Sequence, residues 1–492
     1  MSRRVLRMSK KFVERTKKFL KLGGQKLDLF EIIWLFAPIA IWFSFHPIIS
    51  FGQNDTMHFK LSVTLIYSVI LALVGLPKIW HSRYILIRSR AVWLMSIFLI
   101  WNGMSLFWTA NLLRGLFTFG IVGIIYLIFL AAISERKKIL RITPSLIRIF
   151  IAMAAVMSVF AITQMFMGIW LSQSVTLLCN GCVAEQFGFV RPDGFTIEPQ
   201  FLGSLLIVPA LILLWQTLRQ KNDWRTNSIF ILITSVLFVT MSRGAIFALG
   251  AGAIVLLVQM FYIKKLRKVL VGAGLIISSL LLALSLQGFT AAINPNFNTT
   301  FLGAISKSLN QLSMGVIRIN VSSGTSESKI NTGENIVTSG VENSTENANE
   351  RSTPNFDGYV EESTSIRLWL SELAIKTWAE NSTTMVVGVG IGGAGVAMNN
   401  SFPNEIGARE IVQNEFIEIL LERGVVGAII FATLTVGLIY KLRRQKWLWA
   451  IIAAFLVQWN FFSGYPSALH IYLAFIVIFV VSDSKLLRTT AK

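Results

Sequence analysis

Apolar and polar positions alternate along this chain in long blocks rather than residue by residue. Apolar blocks fall at 30–51, 60–76, 92–109, 115–133, 149–171, 200–216, 228–241, 245–263, 269–288, 424–440, 448–463 and 468–483. Most are roughly 17–25 residues long, the length that crosses a hydrocarbon core. A backbone in hydrocarbon must satisfy its own hydrogen bonds, so these blocks predict helices. The residue-by-residue alternation of a membrane β-barrel is missing. The predicted fold is an all-α polytopic membrane protein with about 12 transmembrane helices. Two polar stretches are longer than turns: 172–199, and a large loop at 289–423 between spans nine and ten.

Charge orients the predicted bundle. The chain has 492 residues, 54% hydrophobic and only 14% charged, with a formal net charge of +20. Such a charge would suit nucleic acid, but the basic residues punctuate the apolar blocks. Segments 1–29, 77–91, 134–148, 217–227, 264–268, 441–446 and the C-terminal tail 484–492 hold 33 of the 45 Lys and Arg. By the positive-inside rule these lie in the cytoplasm, with both termini. No nucleic-acid partner is predicted. The basic first 29 residues lack the apolar core of a secretion signal and read as a cytoplasmic tail beside membrane lipids. The long loop then faces outward. Its middle, 318–363, is rich in Ser, Thr, Asn, Gly and Glu, the composition of a disordered insertion. Its end, 364–423, reads as ordered and helical. In the other outer segment, Cys179 and Cys182 are too few for a four-ligand zinc site and suit a disulfide in an oxidising compartment.

Against this orientation, four of the arginines on the side that should be poor in positive charge lie in the motif segments: Arg191, Arg243, Arg367 and Arg423. A guanidinium presents a planar fork of donors that matches phosphate oxygens. Arg191 lies in RPDGFTIEPQFLG (191–203), where a loop enters span six; the plainer reading is an interfacial pair with Asp193 or Glu198. Arg243 lies in MSRGA (241–245), a turn joining two spans, beside a helix N-terminus that favours anions. Arg367 lies in IRLWLSELAIKTWAE, followed by glycines at 388, 390, 392, 393 and 395. Arg423 ends QNEFIEILLERGVVG (413–427), in which Gln413, Glu415, Glu418 and Glu422 share a helix and Gly424 and Gly427 permit close approach.

Taken in order, these four motifs resemble the O-antigen ligase and polymerase superfamily of bacterial membrane glycosyltransferases. The ligase signature is His, then Asn, Ser or Gln, nine residues, and G-x-x-G; here Gln413, Asn414 and nine residues precede Gly424-Val-Val-Gly427. The resemblance implies transfer of a glycan from an undecaprenyl diphosphate carrier to a glycan, lipid or protein hydroxyl, on the outer face of a bacterial cytoplasmic membrane. It implies diphosphate binding by Arg191, Arg243, Arg367 and Arg423, with Asn414, Gly424 and Gly427 as structural motif residues. The chain departs from the family where Gln413 replaces the histidine. An amide binds sugar or phosphate but takes no proton usefully, which leaves Glu198 and Glu415 as candidate bases. None of the four histidines fits the motif position; His46, His58 and His470 fall near the outer ends, and His81 on the inner side. No metal or cofactor is expected, since a diphosphate is already a good leaving group. A polymerase of the same superfamily is the nearest alternative. A lipid or polysaccharide flippase is the alternative of another class, against which the halves show no repeat.

Overall fold

The computed structural model of the chain describes residues 21–22, 25–43, 49–54, 57–171, 183–186, 189–196, 198–219, 223–293, 300–312, 359–403, 405–408, 410–461 and 465–482. Most of the basic N-terminal tail, Cys179 and Cys182, nearly all of the polar insertion at 318–363 and the C-terminal tail lie outside these residues.

Helices dominate the described chain. The first six are α1 (Leu29–Ala40), α2 (Val63–His81), α3 (Arg83–Ile87), α4 (Arg90–Met104), α5 (Leu112–Ser134) and α6 (Arg136–Leu171). Five more follow: α7 (Pro199–Arg219), α8 (Trp224–Val239), α9 (Arg243–Tyr262), α10 (Leu266–Ile293) and α11 (Phe301–Leu312). The outer segment contributes α12 (Tyr359–Ala379), α13 (Ser382–Val387) and α14 (Ala394–Ser401). The chain closes with α15 (Glu415–Lys441), α16 (Leu448–Gln458) and α17 (Tyr465–Val481). Three short antiparallel hairpins interrupt them: β1–β2 (Lys21–Leu22, Gln25–Lys26), β3–β4 (Ile49–Asn54, Met57–Leu61) and β5–β6 (Val183–Gln186, Phe189–Pro192).

Among the described residues, eight helices are long and apolar enough to cross a membrane, and four shorter apolar helices accompany them. The chain is an all-α polytopic membrane protein. Each of the twelve apolar blocks coincides with one of these helices, but several boundaries move. The block at 30–51 is a helix only to Ala40, about 18 Å long and short of a full crossing. Residues 49–54 and 57–61 pair instead as a hairpin, Ile49 opposite Leu61 and Phe51 opposite Phe59. The block at 448–463 likewise holds α16, only 11 residues long. Conversely, the blocks at 149–171 and 424–440 each form part of a longer helix, of 36 and 27 residues.

Packing sorts the described loops into two ends. At one end Lys138 pairs with Asp28 at 2.7 Å, and Arg141 Nε donates to the buried Glu31 at 2.9 Å. There too Arg136 reaches the Val480 carbonyl, Lys268 the Thr217 carbonyl, and Gln445 the carbonyls of Val481 and Ser482. These are the basic segments. Between the ends α7 is central and buried on nearly every side. The small residues of α9 let it lie close to α16 and α7: a Cβ on Gly252 would meet Leu211 at 2.6 Å and the Ala450 carbonyl at 2.8 Å.

Candidate functional site

The other end holds the four motifs, and contacts close them into a ring. Arg367 on α12 donates from Nε to Gln413 Oε1 at 2.9 Å and from Nη2 to Gln200 Oε1 at 3.2 Å. Gln200 Nε2 in turn donates to the exposed Glu198 at 2.8 Å. Glu198, Gln200, Arg367 and Gln413 therefore form one continuous polar chain across three elements. One turn along α7, a Cβ on Gly203 would lie 2.8 Å from Ala245 and 3.3 Å from Ser242, so this helix abuts the 241–245 turn. Gly244 faces Phe461, where a Cβ would approach to 2.7 Å. The 459–461 segment returns to the start: the Glu415 amide donates to the Trp459 carbonyl at 2.8 Å, and Asn414 Nδ2 lies 3.5 Å from the Asn460 carbonyl.

Local sequence explains how each side chain is set. Arg367 is carried by α12 because Leu370, Leu373 and Ala374, one turn on, pack with Leu421, Val412 and Met398. Asn414 caps α15 by accepting from the amides of Phe416 and Ile417. Ser242 caps α9 by accepting from Ala245, and Arg243 is the first helical residue. The residue before each cap is left-handed: Met241 (φ 52°) and Gln413 (φ 56°). Side chains with a Cβ seldom adopt this conformation, at a cost of roughly 1–3 kcal/mol each. Two of the three such non-glycine residues in the described chain therefore border this ring, the third being Lys264 at the basic end.

Arg191 closes the remaining side. Its Nε donates to the Thr240 carbonyl at 2.9 Å, which ties the end of β6 to the turn bearing Arg243. The neighbouring acids are engaged elsewhere, Glu198 by Gln200 and Asp193 by Gln164. Gln164, fully buried on α6, accepts from the Gly194 amide at 2.9 Å and donates to the Gly194 carbonyl and to Asp193 Oδ1. Burial pushes the Asp193 carboxyl up to about 8, against the lowering effect of its bond from Gln164.

The second half of the 413–427 segment is structural. Gly424 sits at φ 63°, ψ −172°, a conformation essentially restricted to glycine, and it breaks the α15 hydrogen-bond ladder. The carbonyls released by the break find outside donors. Leu421 accepts from the Val389 amide and Glu422 from the Gly390 amide, both at 2.9 Å. The Arg423 carbonyl accepts from Trp101 Nε1 at 3.1 Å. The glycine turn after α13, with φ of 79°, 88° and 73° at residues 388, 390 and 392, brings these amides into range. Gly427 makes room for the Trp101 indole, which a Cβ would approach to 3.1 Å.

This packing corrects the expectation for Arg423. It is fully buried about 12 Å along α15 from Glu415, held by Asn102 Oδ1 at 2.7 Å and Glu422 at 3.3 Å. Burial holds its guanidinium inside the protein, where it braces α15 against Asn102 of α4 as an internal strut. Glu415 is equally buried and accepts from Tyr472 at 2.7 Å. Glu418 and Glu422 are also buried. Gln164, Ser204, His470 and Tyr472 join the assembly from outside the motif segments, and Gln200 joins it from within RPDGFTIEPQFLG. Gln164 and His470 stand as a lone amide and a lone imidazole within apolar blocks, the one sequence signal they carry; Ser204 and Tyr472 carry none.

The fold and site together define a helical membrane protein with an arginine-bearing polar ring at the end opposite its basic loops. Compared with known proteins, the chain matches no family model and no curated protein.

Proposed function

We propose that this protein is an O-antigen ligase-type membrane glycosyltransferase. It would move a glycan from undecaprenyl diphosphate to an acceptor hydroxyl at the outer face of a bacterial cytoplasmic membrane. On this reading the eight long and four shorter apolar helices make twelve spans, both termini are cytoplasmic, and the ring faces outward. One observation carries the reading: segments separated by more than 200 residues meet at the end away from the basic loops, and three of them bring an arginine. Negative charge grows on the diphosphate as its bond to the sugar breaks, and preorganised guanidinium donors stabilise that charge most. Arg191, Arg243 and Arg367 take this role. Gln413 and Gln200, already aligned by Arg367, offer amides to sugar hydroxyls. Glu198 is the better placed of the two carboxylates to take the acceptor proton, being exposed and joined through Gln200 to Arg367, whereas Glu415 is buried against Tyr472.

The test is transfer by purified protein from a lipid-linked glycan donor, compared with Arg367→Ala. No product from active-folded wild type would sink the reading. In a deletion strain, free lipid-linked polymer indicates a ligase, and single repeats in place of long chains indicate the polymerase of the same superfamily.

A further inference from the structure

At the basic end, residues 82–89 join α2, which ends at His81, to α4, which begins at Arg90. Both helices are long and apolar enough to cross a membrane, so this short join lies where two spans leave the hydrocarbon. The sequence from 56 to 134 contains no Asp or Glu, yet Arg83, Arg88 and Arg90 fall within eight positions of one another. Arg83 opens the five-residue α3, Arg88 caps its end and Arg90 starts α4. Five helical residues rise about 7.5 Å, so the three side chains leave the backbone from one short stretch.

Their surroundings separate them from other cations at this end. Lys138, Arg141 and Lys78 face Asp28, Glu31 and Glu135. Arg225 interacts with Asp223, and Lys268 is bonded to the Thr217 carbonyl. Arg83, Arg88 and Arg90 are exposed, and no carboxylate among the described residues pairs with them. The Arg83 guanidinium lies instead 5.1 Å from the Trp80 ring and 5.0 Å from the Tyr84 ring. Rings engage the face of a guanidinium, whose donors lie in its plane and remain for an anion. Trp93 Nε1 donates to the Ile87 carbonyl at 2.7 Å and ties the end of α3 to α4. Large apolar side chains stand open beside these cations: Trp80 is 74%, Tyr84 69% and Ile85 66% exposed. Trp and Tyr favour the level at which hydrocarbon meets headgroups. Charge alone would suit a free anion, and apolar exposure alone would suit any lipid. The two together suit an amphiphile with an anionic phosphate head.

We propose that residues 80–93 form a docking surface for an anionic phospholipid, with the headgroup phosphate on Arg83, Arg88 and Arg90. Charge complementarity selects the headgroup, and the two span ends hold the surface in the bilayer's own headgroup layer. The surface stands independently of the glycan-transfer reading.

The experiment titrates the full chain, purified in a neutral detergent, with phosphatidylglycerol or with phosphatidylcholine of the same acyl chains. Native mass spectrometry counts the lipid retained. Wild type should retain phosphatidylglycerol in preference to phosphatidylcholine. One arginine beside an anionic headgroup is worth about fivefold in binding. Arg83→Gln should therefore weaken phosphatidylglycerol retention about fivefold, and the triple variant Arg83→Gln, Arg88→Gln, Arg90→Gln roughly a hundredfold. Phosphatidylcholine retention and thermal unfolding should not change, because all three side chains are exposed. Lys264→Gln, Lys265→Gln, Arg267→Gln removes the same charge from another exposed loop and should leave the tightest phosphatidylglycerol site within about twofold, since exposed charges are screened over a Debye length. Three results each overturn the proposal. One is equal retention of the two lipids by wild type. Another is an equal loss in both triple variants, which would mean diffuse attraction to a basic surface. The third is displacement of the lipid by inorganic phosphate at equal concentration, which would assign the arginines to a free anion.

Discussion

Replacing Asp193 by Asn removes a carboxyl in the candidate site that burial keeps from ionising. Asp193 is 2% exposed and lies in the turn between β6 and α7, where burial raises it from 3.8 to about 8. In the unfolded chain the group ionises near pH 4; in the folded chain it holds its proton to near pH 8. Between those values the folded state binds the extra proton, so stability falls as pH rises. The contribution is fully present below pH 4 and is lost by the time pH passes 8. Each pH unit in that window is worth about 1.4 kcal/mol, so the ceiling is roughly 5–6 kcal/mol. Relaxation of the turn lowers the observable, but not its direction. Thermal unfolding in nanodiscs at pH 5 to 9, at one scan rate, measures it. All other titrating groups are common to both proteins, so the difference reports Asp193. The Asn variant should gain on wild type steadily up to about pH 8 and hold a constant lead above it. Parallel curves across the whole range would mean that the carboxyl is solvated and the burial argument wrong. Because the same stretch bears Arg191 on the Thr240 carbonyl, transfer activity should fall over the same alkaline window and persist in the variant.

Arg243→Lys keeps the charge but loses the fork, at a turn whose strained Met241 gives little freedom to reposition. Transfer should drop by on the order of tenfold or more at matched expression, and full activity would show that a point charge suffices. Gln413→His should fold and remain active, since histidine tolerates the left-handed backbone and one ring nitrogen can accept from Arg367; an inactive but folded variant would show that the amide itself is needed. Gly424→Ala places a Cβ about 2.2 Å from the Val386 carbonyl in a glycine-only conformation, which should cost at least ~3 kcal/mol and expose the 359–413 segment to protease. Deletion of residues 320–360, whose composition buries little apolar surface, should leave activity intact in a correctly inserted protein; complete loss would show that the insertion contributes to the site.

The amino-acid sequence by itself determined what depends on local, additive properties. Hydrophobicity summed over a bilayer's length is one such property, and all twelve apolar blocks coincide with helices. Lys and Arg content is another, and it separates the loops into the same two sets that packing brings together. The motif segments also declared themselves, through arginines that break the charge pattern and glycines that mark turns. Tertiary structure alone decided which polar groups meet. Arg367 could have faced water from its helix; contacts with the turn before α15 and with α7, 46 and 167 residues away, turned it onto Gln413 and Gln200. Arg423 looked equivalent in sequence, yet the break at Gly424 turned it inward to Asn102. Asp193 looked like a partner for Arg191, but Gln164 from another helix took it. The hairpin at 49–61 replaced the end of a span for the same kind of reason: strand pairing satisfied a backbone whose hydrophobicity alone read as helix. Hydrophobic length is written residue by residue. Hydrogen-bond partnership is a property of pairs, and the pairs here are chosen by the packing of helices remote in the chain.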